Sequence, residues 1–208
     1  SRGKITPEQR DAAVGRLRGT TDLGAMADRD LVIEAVVEDL EEKRKVFARL
    51  DTIVPAGHII ATNTSSIPVI RIATATKRSE LVLGLHFMNP VPVLPLVEIV
   101  RTVATSEATL ATARAFCESV GKRVIVAKDR AGFIVNLLLI PYLLNAIRAH
   151  EDGGGSREDI DIGMRLGTNM PMGPLTLSDY VGLDTLLLVA DVMYREMLDS
   201  RYAAPPLL

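Results

Sequence analysis

Residues 31–54 read LVIEAVVEDLEEKRKVFARLDTIV. The first seven, LVIEAVV, are a short β-branched run of the kind that fills a buried parallel strand, and the spacing predicts that strand within residues 30–38. The pattern then changes period. Leu40, Val46, Phe47, Leu50 and Ile53 recur at helical spacing with a charged opposite face, and Pro55 and Gly57 close the helix. A strand running directly into an amphipathic helix is the repeating unit of α/β sheets.

The alternation continues on both sides. HIIAT at 58–62 reads as a strand, and NTSSIPVIRIATAT at 63–76 as a loop and a short helix. LVLGLHF at 81–87 is a further strand, followed by the proline-punctuated turn NPVPVLP at 89–95 and the strand LVEIV at 96–100. Residues 106–120 form a helix and RVIVAKD at 123–129 one more strand. Upstream, Thr6 offers an N-cap and Pro7 a first helical position for a helix over 7–17. This pitch indicates a doubly wound α/β sheet, whose binding sites lie at the carboxyl ends of its strands.

The character changes near Asp129, where long apolar helical patterns replace strands. We expect a dinucleotide-type domain over residues 1–128 and an all-helical domain over 129–208. GFIVNLLLIPYLLNAIRAHE at 132–151 is apolar almost all round, with Pro141 a candidate kink, and Ser156 before Arg157, Glu158 and Asp159 reads as an N-cap.

Apolar residues make up 48% and charged residues 24%, ordinary globular usage, so composition gives no support for disorder. The net charge of −2 offers no broad positive field for nucleic acid or anionic lipid. The apolar run from Phe133 to Leu144 is broken by Asn136 and Pro141 and is too short to span a bilayer. Cys117 is the single cysteine, so no internal disulfide forms. Its neighbours at helical spacing are small and apolar, which favours a packed core thiol over a nucleophile. No metal site is expected, and the cytoplasm is the default address.

Of the three histidines, His58 and His150 read as solvated or capping residues. His86 differs, because it follows LVLGL at the carboxyl end of a buried strand, where an α/β fold displays ligands. Histidine titrates near neutrality without a large environmental shift, as a base for a hydroxyl proton must. Glu98 sits inside the apolar run LVEIV, where a carboxylate costs stability unless compensated. If the 89–95 turn brings the chain back antiparallel, Glu98 reaches the imidazole and fixes its tautomer; the alternative is a carboxylate with its head in solvent at the sheet edge. Asn63, Thr64, Ser65 and Ser66 offer neutral hydrogen-bonding groups near the same face, or caps for the next helix. Asn136, an amide within FIVNLLLI, needs partners in a ligand or in another helix.

At these residues the chain resembles the L-3-hydroxyacyl-CoA dehydrogenase family, most of all its single-function 3-hydroxybutyryl-CoA members. NTSS at 63–66, GLHFMNPVPVLPLVEIV at 84–100, DRAGFIVNLLLIPYLLNAIR at 129–148 and PMGPLTLSDYVGLDT at 171–185 carry the resemblance in family order. It implies that His86 takes the C3 hydroxyl proton while hydride leaves for NAD, that Glu98 orients His86, and that Ser65 and Asn136 bind around the reacting oxygen or thioester. It also implies NAD contacts from Glu38, Lys43, Ser65 and Asn89 with Ala35 nearby, an acyl-CoA substrate met in part by Lys4, and a homodimer. A solvated charge pair is the plain alternative for Glu38 and Lys43, and a solubilising charge for Lys4.

The family's GxGxxG fingerprint, which lets backbone amides approach a pyrophosphate, does not occur in these residues. The family pattern puts it ahead of Ser1, and a glycine-rich ending beyond Leu208, so the expectation is an incomplete Rossmann-type domain followed by the helical one. Two rival readings follow: a non-catalytic, dimeric CoA-ester-binding or structural protein of this fold, and a related sugar-acid dehydrogenase.

Overall fold

The structure, a computed structural model, describes residues 5–208. Lys4 lies outside the described residues.

Helix α1 (Pro7–Val14) opens on a capping box: the Thr6 hydroxyl accepts the Gln9 N–H, and the Gln9 side chain accepts the Thr6 N–H. It ends at Gly15, short of the expected Leu17, and it buries no side chain that would hold a further turn. Strand β1 (Leu31–Glu34) is also shorter than the 30–38 reading. The Val36 N–H donates to the Glu34 carboxylate at 2.6 Å, which turns the chain off the sheet and leaves Val36 and Val37 exposed. Ala35 therefore lies past the strand's end and is exposed.

Helix α2 (Leu40–Ile53) is capped by Asp39, whose side chain accepts the Glu42 N–H. Next come β2 (Ile59–Thr62), the short helix α3 (Val69–Ala73), β3 (Val82–Phe87), β4 (Leu96–Arg101), α4 (Glu107–Ser119) and β5 (Arg123–Lys128). The strands form one sheet in chain order. β1, β2 and β3 are parallel, the proline-rich turn reverses the chain so that β3 and β4 are antiparallel, and β5 runs parallel to β4.

Side chains alternate across this sheet with period two. Ile60, Val82 and Val100 face α2 and α3, meeting Phe47, Leu50 and Ile72; Ile59, Ala61, Leu83, Leu85, Val97 and Ile99 face α4, meeting Ala113 and Cys117. Each fully buried side chain of this size contributes roughly 1.5–3 kcal/mol. Cys117 is fully buried and burial pushes its thiol up, as suits the packed-core reading.

After β5 the described residues contain no further strand. Helices α5 (Val135–Glu151), α6 (Arg157–Gly167), α7 (Pro174–Val181) and α8 (Leu183–Met197) follow, packed around Leu143, Leu144, Leu186, Ala190, Met193 and Tyr202. α6 starts on Ser156, as expected. Pro141 does not end α5. It has no N–H to give to the carbonyl four residues back, and that carbonyl, on Leu137, accepts the Tyr202 hydroxyl at 3.2 Å. Among the described residues no helix is long and apolar enough to cross a membrane.

Candidate active site

The antiparallel return sets His86 and Glu98 directly opposite one another in the β3–β4 register. His86 Nδ1 lies 2.7 Å from Glu98 Oε2, and the glutamate is fully buried. Its head is therefore not in solvent at a sheet edge. Glu98 Oε1 accepts the backbone N–H groups of Ile134 (3.1 Å) and Val135 (3.0 Å), where α5 begins. Helix N-termini leave such donors unpaired and favour negative charge, so the buried carboxylate is compensated on both oxygens.

A carboxylate only accepts, so the neutral imidazole carries its proton on Nδ1 and leaves a lone pair on Nε2. Nε2 lies 3.1 Å from the Ser65 hydroxyl, which donates to it. Phe133 packs edge-on against the imidazole, with ring centroids 5.4 Å apart and planes at 63°. Phe133 holds φ of +50°, a region that costs a residue with a side chain roughly 1–2 kcal/mol. Burial of its ring keeps it there, at 1% exposure.

Ser65 stands in the loop after β2, and that loop is closely held. The Ser65 carbonyl accepts from Asn136 Nδ2 at 3.2 Å. Asn136 is half-buried in the first turn of α5, not a fully buried mid-helix amide, and its partner is this loop. The Glu38 carboxylate accepts from the Thr64 hydroxyl (2.6 Å), the Ser65 and Ser66 N–H groups (3.0 and 3.1 Å) and the Ser66 hydroxyl (2.9 Å). Asn63 braces β3 instead, accepting the Phe87 N–H at 2.9 Å.

Glu38 and Lys43 do not form a solvated pair. Lys43 is 1% exposed, and its ammonium lies 3.3 Å from Glu38 Oε2 and 2.8 Å from Glu34 Oε1. Burial pushes the Glu38 carboxyl up, but the Thr64 hydroxyl, the Lys43 charge and the Ser65 and Ser66 donors outweigh it, and the group ends below the ordinary Glu value.

The structure thus gathers His86, Glu98, Ser65 and Asn136 into one cluster and joins Glu38 and Lys43 to it through the Ser65 backbone. Ala35 and Asn89 are exposed at the carboxyl ends of β1 and β3 and do not join the network. His58 and His150 sit apart, with Nδ1 against the carbonyls of Arg29 and Gly155. The reading of the sequence missed Glu34. A carboxylate inside the β-branched run LVIE is the same anomaly that singled out Glu98 in LVEIV, and it was open to the same argument.

A mixed α/β sheet with its polar cluster at the carboxyl ends of β1–β3, followed by a helical domain, defines a protein of the dinucleotide-binding dehydrogenase class. Comparison with known proteins narrows this. Residues 1–130 match the family described as 3-hydroxyacyl-CoA dehydrogenase, NAD binding domain, and residues 132–208 match 3-hydroxyacyl-CoA dehydrogenase, C-terminal domain. A 3-hydroxybutyryl-CoA dehydrogenase of Mycobacterium tuberculosis is 54% identical over 100% of this chain and 73% of its own length. The crystal structure of M. tuberculosis FadB2 superposes with a TM-score of 0.97 at 54% identity, over 99% of this chain and 73% of that one. The (S)-3-hydroxybutyryl-CoA dehydrogenase of Ralstonia eutropha gives 0.92 at 41% identity, over 98% and 72%. The chain belongs to the 3-hydroxyacyl-CoA dehydrogenase family.

Proposed function

We propose that this protein catalyses the reversible, NAD-dependent oxidation of an L-3-hydroxyacyl-CoA, 3-hydroxybutyryl-CoA foremost, to the 3-oxoacyl-CoA. The observation that carries the reading is His86, held by Glu98 on Nδ1 and presenting a basic Nε2 beside the Ser65 hydroxyl.

NAD, when bound, accepts the hydride that leaves C3. The residues present fit it: the carboxyl ends of β1–β3 are where sheets of this class hold dinucleotides, and Val36 and Val37 leave apolar surface there, 43% and 67% exposed. Ala35, Glu38, Lys43, Ser65 and Asn89 are the contacts we assign to it. His86 Nε2 takes the proton of the C3 hydroxyl, and the imidazolium keeps its Nδ1–H on Glu98, which balances the new charge. Ser65 and Asn136 bind around the reacting oxygen or thioester. In the reverse direction His86 returns the proton from Nε2. Lys4 is assigned to the CoA portion on resemblance alone.

We further place the domain division between residues 128 and 129 and the protein in the cytoplasm as a homodimer. Apolar side chains left exposed on the helical half, among them Leu138 (70%), Leu166 (79%) and Tyr180 (63%), support self-association.

The test is NADH formation from L-3-hydroxybutyryl-CoA by these residues, by a form that also carries a GxGxxG unit ahead of Ser1, and by the His86→Ala variant of each, the reading being overturned only when neither parent form turns over. Turnover that falls by about 10²- to 10⁴-fold in the variant supports the reading. Folded protein that forms no NADH at any acyl length overturns it in favour of a CoA-ester-binding protein, and turnover of free hydroxy acids in preference to acyl-CoA moves it to the sugar-acid reaction.

A further inference from the structure

Glu34 is buried, with its side chain 1% exposed at the last position of β1, and no role has been assigned to it above. Three donors converge on its two oxygens. Oε1 accepts from the Val36 N–H at 2.6 Å and from Lys43 Nζ at 2.8 Å, and Oε2 accepts from the Thr62 hydroxyl at 2.7 Å. A buried ion pair is weak support for stability, because desolvation offsets its attraction. The shape of the surrounding network shows a better use for it.

Two routes lead from this carboxylate to the Ser65 loop. Along the first, Lys43 bridges Glu34 to Glu38, and Glu38 gathers four donors from Thr64, Ser65 and Ser66. Along the second, the Thr62 hydroxyl donates its hydrogen bond to Glu34, so the Thr62 oxygen is left to accept, and it accepts the Thr64 N–H at 3.2 Å. Both routes end on the loop whose Ser65 hydroxyl meets His86 Nε2 and whose Ser65 carbonyl meets Asn136. We propose that Glu34 is a positioning residue for the dehydrogenase reaction, fixing Ser65 against His86 through Lys43–Glu38 and through Thr62–Thr64. The inference rests on the reading of His86 given above.

Glu34→Gln is nearly isosteric, yet it cannot satisfy this arrangement. If its amide nitrogen faces Lys43 and Val36, donors meet donors; if it faces Thr62, the threonine proton loses its acceptor. Either way the loop loses a fixed point, and small misplacements of a reacting group are costly.

The experiment combines two measurements on the full chain. In the unliganded protein, amide hydrogen exchange at Ser65 and Ser66 should speed up in Glu34→Gln, while the central-strand amides of Ile60 and Leu85 keep their protection. In turnover, Glu34→Gln should lower kcat by about tenfold to a hundredfold with little change in KM for the acyl-CoA. A double-mutant cycle with Ser65→Ala should be strongly non-additive, because both changes disable one device. Unchanged exchange at Ser65 and Ser66, wild-type kcat, or independent effects in the cycle overturn the positioning role. Should Glu34→Gln not fold, Thr62→Ala cuts the second route with the ion pair intact, and the same measurements decide. Failure of the parent reading looks different: His86→Ala would then be as active as wild type, or neither would turn over.

Discussion

Glu98 stands across the sheet from His86 and gives it one oxygen only: Oε2 lies 2.7 Å from the imidazole, while Oε1 takes the Ile134 and Val135 amides. This division makes the pair sensitive to a change of charge at constant shape. In Glu98→Gln the amide oxygen must face the two backbone N–H groups, which turns the NH2 toward His86 Nδ1. The imidazole then carries its proton on Nε2 and has no lone pair for the substrate. We predict a loss in kcat of about 10²- to 10⁴-fold in a protein that still folds, measured by steady-state NADH formation beside thermal denaturation.

Lys43 is the cation that two buried carboxylates share. Lys43→Met leaves Glu34 and Glu38 facing each other uncompensated, and breaking a buried pair in this way costs about 3–5 kcal/mol. Urea denaturation of wild type and variant at neutral pH measures this.

Glu38 links stability to pH in the wild-type protein. Its folded value lies below its unfolded one, so its contribution is complete above the unfolded value and is lost as pH falls through the folded value. Glu38→Gln should therefore be less stable than wild type at neutral pH, by about 1.5–3 kcal/mol for a charged hydrogen-bonding group. The difference should close in acid. A deficit that does not depend on pH would count against the ionised Glu38 described here.

Gly132 enters α5 at φ +76°, and a Cβ there would lie 2.3 Å from Met193 Cε and 3.1 Å from the Leu137 nitrogen. Gly57, at φ +87°, has open space around it. Alanine at Gly57 should cost about 1–2 kcal/mol for backbone strain alone, whereas alanine at Gly132 adds overpacking of about 1–3 kcal/mol. Comparing the two by chemical denaturation separates these causes. The Gly132 variant should also lose activity, because the displaced segment carries Phe133 and Asn136.

Two of the capped helices were legible residue by residue, since Thr6 and Ser156 each place an acceptor where the first helical amides need one, whereas the Asp39 cap emerged only from the fold. The strand at LVIEAVV was read three residues too long because Val36 and Val37 have strand chemistry. What ends the strand is a bond from Glu34 to the Val36 amide, and no periodicity encodes it. The His86–Glu98 meeting could be foreseen from the proline-rich turn and an anomalous carboxylate. Glu34 carried the same signal and was passed over, but its partners Lys43 and Thr62 lie on a helix and a neighbouring strand that only the folded sheet brings together. Asn136 was recognised as needing a partner, but the partner, a loop carbonyl 71 residues earlier, depends on how the helical half meets the sheet.

Pro141 leaves the Leu137 carbonyl to the hydroxyl of Tyr202, a residue close to the end of the sequence. The helix so completed is the one whose first turn carries Asn136. Tyr202 is thereby fastened to the helix whose first turn meets the Ser65 loop, and its tolerance of change should follow that of α5. Tyr202→Phe keeps the ring's packing and removes only the fastening, so whatever turnover it loses measures how far the influence of Tyr202 reaches into the site.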